Sequence, residues 1–411
     1  MIYTTRRRLL GSASAALPLA FIGRAQAAPT EVQICLLAPL SGPWAYNGEL
    51  EKMGAQMAVE DVNQAGGIRA LGGAKVRLRI ADAGGTVEQA RSAAQRIVSQ
   101  DPDLVAGIGS WLSSFTLVVT EVTERAKLPW VTLSWADTIN ERGFRYIIST
   151  STPASQIITL SMESMIALAK QTVGKAPTTV ALISDNTASQ EVILKTMHNG
   201  LLAKVGLKPV MDQVFAPPLS DASSLVLAVR RVHPDLVLLN TSSPSDAKLL
   251  LQTLNEFGLG HGRVPIFAPV ATWGFPTLLK TVGADEMEGL IGAGSDWGQK
   301  REAALLASMN KRSGLPWQPQ ETLQTYGNVM LIVDAIERAK SADRDKVMAA
   351  LHATDLTTGA AKYFLGDRLS FLPNGRRAQN IVALFQWQNG VPLTIAPASA
   401  AMATLKWPKP A

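Results

Sequence analysis

The chain contains a single cysteine, Cys35, so no intrachain disulfide can form. It sits in the apolar run VQICLLAPL and reads as a core thiol. The four histidines, His198, His233, His261 and His352, fall at no metal-ligand spacing and in no Ser/His/Asp signature. No Walker A sequence is present, and the glycines of GAGSDWG (Gly292–Gly298) miss the spacing of a dinucleotide-binding loop. No catalytic residue, no metal ligand and no cofactor is therefore expected, and the chain reads as something other than an enzyme. Charged residues are scarce too, at 18% against 47% hydrophobic, which describes a globular chain, neither disordered nor membrane-embedded.

The net charge of +6 gives a nucleic-acid partner little support once its location is considered. Arg6, Arg7, Arg8 and Arg24 lie in the first 27 residues, which hold no acid, and removing them takes the formal charge from +6 to +2. Those 27 residues have a basic start, an apolar stretch from Leu9 to Gly23 and the small-residue pattern Ala25-Gln26-Ala27, so they read as an export signal cleaved before Ala28. The paired arginines before Leu9-Leu10 are twin-arginine-like, with ordinary secretion of the same segment left open. The apolar stretch, interrupted by Pro18, falls short of the roughly 20 residues of a bilayer span. A lipid anchor would need cysteine where the chain has Ala28. The expected location is periplasmic.

What the chain does contain is a duplication. PDLVAGIGSWLSS (Pro102–Ser114) and PDLVLLNTSSPSD (Pro234–Asp246) each run from a short apolar strand into a serine-rich loop. Each loop is followed by a helical stretch, Phe115–Arg125 or Asp246–Phe257, and then by a second apolar run, WVTLS or IFAPV. Strand, polar loop, helix, strand is the unit of a parallel sheet with crossover helices. The expected fold is α/β, with two doubly wound parallel-sheet lobes joined by a three-segment hinge. Lobe one takes residues 28–152 and 295–382, and lobe two takes 153–294 and 383–411. The stretch LQTYGNVMLIVDAIERAK reads as a helix covering one of the sheets.

In an open parallel sheet the loops at the carboxyl ends of the strands form the binding crevice, and following helices aim free N–H groups into it. SWLSSFTLVVTEV fits that pattern, with Ser113 or Ser114 expected to cap the helix and to meet a carboxylate. Trp44, Trp111, Trp135, Trp273 and Trp297 all fall in or beside expected strand-end loops, where together they suggest an apolar pocket.

The segments LAPLSGPWAYNGE, NQAGGI, GSWLSSFT, INERGFRY and LFQWQNG, in this order, resemble the periplasmic solute-binding proteins of the branched-chain amino-acid type, which serve ABC importers. The likeness spans essentially the whole chain after the export signal. It implies two lobes that close on a small ligand and a receptor whose partners are that ligand and an ABC permease, with the membrane reached only through the permease. Ser113 matches the serine that holds the ligand carboxylate in that family. Ala136 and Asp137 match the next loop of lobe one. Asn47, Ser189 and Ser243 lie where the family often places tyrosines, and Ala271 falls where it places the acid that pairs with a ligand ammonium. The missing acid and the tryptophan faces point to a small organic acid, aromatic ones included, in preference to leucine or valine. Three alternatives stand beside this reading: a branched-chain amino-acid receptor, the sensing subunit of a signalling system, and an α/β hydrolase.

Overall fold

The computed structural model describes residues 1–2, 29–260, 263–297 and 302–407. Apart from Met1 and Ile2, the expected export segment lies outside them. The first sheet is built from β1 (Glu31–Ala38), β2 (Lys75–Asp82), β3 (Leu104–Gly109), β4 (Trp130–Thr132) and β5 (Ile147–Ser149). Its strands run in the order β2-β1-β3-β4-β5, all parallel. Between them lie α1 (Ala45–Gln64), α2 (Val87–Gln100) and α3 (Ser113–Arg125). Parallel strands covered by helices on both faces need apolar residues without alternation. The runs Ile34–Ala38 and Leu104–Gly109 supply them and are buried throughout.

The second sheet begins after α4 (Ala154–Val173) and contains β6 (Thr179–Asp185), β7 (Lys208–Phe215), β8 (Leu236–Asn240), β9 (Ile266–Ala268) and β10 (Ile291–Gly294). A helix at Ala188–Thr196, α5, follows β6. A small ribbon, β11 (Asp355–Leu356) with β12 (Leu369–Ser370), precedes the closing hairpin β13 (Ala383–Gln388) and β14 (Val391–Ala396). The order of the second sheet is β14-β13-β10-β9-β8-β6-β7. Strands β6 to β10 are parallel, and β13 and β14 add an antiparallel edge from the far end of the chain. The second sheet thus keeps a body of five parallel strands, as expected, with an antiparallel hairpin at one edge. The duplicated PDLV segments occupy equivalent places: β3 lies beside β1 and β8 beside β6, each the third strand of its series.

The helix Gln320–Ala339 covers the first sheet and packs on α1. Gly54 permits the close crossing, because a Cβ there would run into the Thr322 carbonyl. The chain crosses between the sheets three times: after Ser149, after Gly294 and before Ala383. Thr152 ties the crossings together. Its N–H donates to Ser295 Oγ at 2.8 Å, and its hydroxyl donates to the Ile381 carbonyl at 2.7 Å and accepts from the Ile381 N–H at 3.0 Å. Across the cleft the lobes touch: the Ala188 N–H donates to Ser114 Oγ at 3.2 Å, and the Tyr46 and Phe275 rings meet at 5.6 Å. No described helix is long and apolar enough to cross a membrane.

Candidate functional site

The strand-end loop after β3 turns sharply, with Gly109 and Ser110 at φ 107° and 57°, and delivers the chain to the start of α3. The N-cap is Leu112, whose side chain cannot cap. Neither Ser113 nor Ser114 is the cap expected from sequence, since both already lie inside the helix. The N–H groups of Phe115 and Thr116 return to the Leu112 carbonyl at 2.8 and 3.0 Å, which leaves those of Ser113 and Ser114 at the cleft end of the helix. The Ser113 hydroxyl is fixed from behind: its oxygen accepts the N–H groups of Trp135 and Ala136 at 3.2 and 3.1 Å. Its own proton is therefore free to be donated to an acceptor in the cleft. A helix N-terminus, two amides and one oriented hydroxyl are donors of the kind that can receive a carboxylate.

The cavity at these donors encloses about 340 Å³ of non-atom space when its open mouth is counted, and with the lobes in contact it is narrow. Lobe one lines it with Trp111, Leu112, Ser113, Leu133 and Trp135. Lobe two contributes Ser189, Gln190, Ser242, Val270, Ala271 and Thr272. The lobe-two wall is stiffened around Ser242. Its N–H donates to Asp185 Oδ2 at 2.6 Å, its hydroxyl oxygen receives Gln190 Nε2 at 2.5 Å, and its carbonyl receives the Thr272 hydroxyl at 2.9 Å. Burial pushes the Asp185 carboxyl above its ordinary value.

The structure separates the expected site residues into three groups. Ser113, Ser189, Ala271 and Trp111 line the cavity, and Ala136 supports Ser113 through its amide. Trp44, Ser114 and Asn47 stand one layer back. Trp44 packs on Trp111 with ring centroids 5.9 Å apart, Ser114 holds the lobes together, and Asn47 is fully buried on α1 with neither side-chain polar atom partnered. Asp137 and Ser243 serve other elements. The Asp137 carboxylate accepts from the Ser155 N–H and hydroxyl at 3.1 and 2.6 Å, fixing the start of α4, with Arg376 at 3.7 Å. Ser243 caps the helix Pro244–Glu256 and bonds Ser245, so its neighbour Ser242 is the residue that faces the cavity. Trp273 and Trp297 are core residues of lobe two: the Trp273 carbonyl receives the Trp387 indole N–H at 2.7 Å, and Trp297 stacks on Phe385 at 4.2 Å.

Sequence reasoning missed the acid of the site. Glu321, in the first turn of the helix Gln320–Ala339, lines the cavity and is 1% exposed. Behind Trp111 lies a second carboxyl, Glu51 of α1, fully buried, with Oε2 accepting the Trp111 N–H at 3.3 Å. Burial pushes Glu321 up to about 8, against hydrogen bonds from its own N–H and from the Trp111 side chain. Burial pushes Glu51 well above the carboxylate range too, and the charge of Glu321 adds to the shift. Among the described residues neither has a cation beside it, and Oε1 of Glu51 and Oε2 of Glu321 accept no hydrogen bond.

The periplasmic binding protein family model matches residues 31–391. Leu/Ile/Val-binding protein homolog 8 of Brucella melitensis is 27% identical over 93% of this chain and 94% of its own length. Among solved structures, a leucine-binding protein from Thermotoga maritima superposes with a TM-score of 0.74 at 20% identity, covering 89% of this chain and 98% of that one. An ABC-transporter solute-binding protein from R. palustris, solved with benzoate, superposes with a TM-score of 0.75 at 18% identity, covering 91% and 98%. These two show a shared fold. With the two-lobed architecture and a match over nearly the whole chain after residue 30, the protein belongs to the periplasmic binding protein family, whose members are solute receptors and not enzymes.

Proposed function

We propose that the chain is exported to the periplasm, captures a small carboxylate-bearing ligand between its lobes and delivers it to an ABC permease. The carrying observation is the Ser113 hydroxyl, held by two backbone amides at the start of α3 and facing the lobe-two wall. Trp111 and Trp135 flank that seat with flat apolar faces, which suit an aromatic or branched apolar body on the ligand. A ligand that touches Ser113 on one side and Ser189 or Ser242 on the other binds the closed lobes better than the open ones. It shifts the population toward the form a permease can recognise. Relatives are named for leucine, isoleucine and valine, and one neighbour in fold was solved with benzoate, so both apolar bodies occur among similar proteins.

The test is a thermal-shift screen of carboxylic acids and amino acids, with Ser113→Ala alongside. A binder at 100 times its dissociation constant adds about 2.7 kcal/mol to stability. Ser113→Ala is expected to weaken that binder by about 1 to 3 kcal/mol, the range for depriving a charged acceptor of its donor. Unchanged affinity in the variant would remove Ser113 from the seat.

A further inference from the structure

Glu321 is an acid in a place where an acid needs a reason. It occupies the first turn of a helix, where a carboxylate is favoured by the free N–H groups, and it takes one hydrogen bond from its own amide. A capping role would satisfy it at the surface. Here the side chain is almost fully buried, and one oxygen is left without a donor among the described residues while the residue lines the cleft. A buried carboxyl without a partner stays protonated or waits for a cation. The groups around it supply none: Glu51 on α1 is another acid, Tyr46 is a phenol, and Trp111 is neutral. On the lobe-two wall Ala271 offers only a methyl group.

We propose that Glu321 is the specificity-determining residue of the cleft: it pairs with a protonated nitrogen on the ligand, whose carboxylate sits at Ser113. The inference rests on the carboxylate seat described above and extends it to a second group on the same ligand. It also replaces the premise behind the sequence expectation of an acid without an amine, which rested on the missing acid at Ala271. Asp137 is committed to α4, and the acid that lines the cavity is Glu321. The position has a mechanical consequence. The preceding residue, Gln320, accepts the N–H groups of Ser295 and Asp296 at 2.7 and 3.2 Å, so charge recognition takes place beside the clasp of the second interlobe crossing.

The proton balance provides the test. With the lobes in contact and no ligand between them, Glu321 holds a proton at neutral pH, because burial raises it to about 8. Pairing with an ammonium moves that proton to solvent, whereas binding a plain carboxylate leaves it in place. Calorimetry at pH 7, in phosphate and in Tris, would compare leucine with 4-methylpentanoate and phenylalanine with 3-phenylpropionate. We expect the amine-bearing member of at least one pair to bind at least tenfold more tightly and to release about one proton per site. In Glu321→Gln that preference is expected to fall below threefold, with the plain acid changed by less than threefold. Equal or tighter binding of the plain acids, no proton release by the amine-bearing member, or a preference that survives the substitution would overturn the assignment and leave the receptor reading standing. Binding of none of the four would overturn both. The proton count needs no variant, so a poorly folding Glu321→Gln does not block the test.

Discussion

Replacing Glu321 by glutamine keeps the side chain's shape and removes its titration, so it isolates one carboxyl in the pH dependence of folding. With the lobes in contact, burial pushes this group up to about 8, against 4.5 for an unhindered glutamate. The folded state therefore keeps a proton that the unfolded chain has lost over the interval between those values. The stability associated with the neutral side chain is fully present below about 4.5 and is lost as pH rises through about 8. The slope in that window is roughly 1 to 2 kcal/mol per pH unit, so between pH 5 and 8 this one group contributes a loss on the order of 3 kcal/mol.

Glu51, Asp185 and Asp246 are also raised by burial and tilt the profile the same way, so the absolute slope of the parent does not identify Glu321. The difference between parent and variant does. Urea unfolding of the ligand-free protein at pH 5, 6, 7 and 8 would give it directly, because the unfolding free energy at each pH comes from one transition. Near pH 5 the two proteins should lie within about 1 kcal/mol of each other, as both carry a neutral side chain. By pH 8 the variant should be the more stable, and the gap should close again when a cationic ligand saturates the parent. Parallel profiles over the whole range would refute the reasoning, since they would mean that the carboxyl ionises in the folded state as easily as in water.

Two further outcomes follow from residues placed elsewhere. Asp137→Ala should leave ligand affinity within twofold of the parent while lowering stability by about 1 to 3 kcal/mol through the lost bonds to Ser155, measured by calorimetry and urea unfolding on the same samples. Loss of binding with stability intact would return Asp137 to the ligand site. Mass spectrometry of the periplasmic fraction should find a chain that begins near Ala28, and a membrane-bound chain with the Leu9–Gly23 stretch still attached would contradict export with cleavage.

The parts of this molecule that were legible in the sequence are those set by local patterns. Strand, serine loop and helix recur after both PDLV segments because each lobe solves the same packing problem, and β3 and β8 occupy equivalent positions as a result. The place of Ser113 was legible for a similar reason: a helix that follows a parallel strand starts at the carboxyl end of the sheet, where the cavity lies. The hairpin β13–β14 was readable as strands, but its antiparallel place beside β10 depends on where the third crossing returns the chain. Register set the limit at Ser242 and Ser243, where one step around the start of a helix decides which hydroxyl caps and which faces the cavity. Glu321 lay beyond local pattern altogether. Its side chain became unusual only because Trp111, more than 200 positions earlier, covers it and Glu51 shares the space, whereas in sequence it is an ordinary acid in the first turn of a cover helix. The one signal available was the run Gln320-Glu321-Thr322, followed by Gln324 and Thr325, polar in a stretch that a purely covering helix would fill with leucine and valine. All five are buried. Gln320 and Gln324 meet the crossings at Ser295 and Ser151, and Glu321 meets the cleft. A polar start to an otherwise apolar helix therefore marks the place where the crossings and the cleft cavity are built from the same turn.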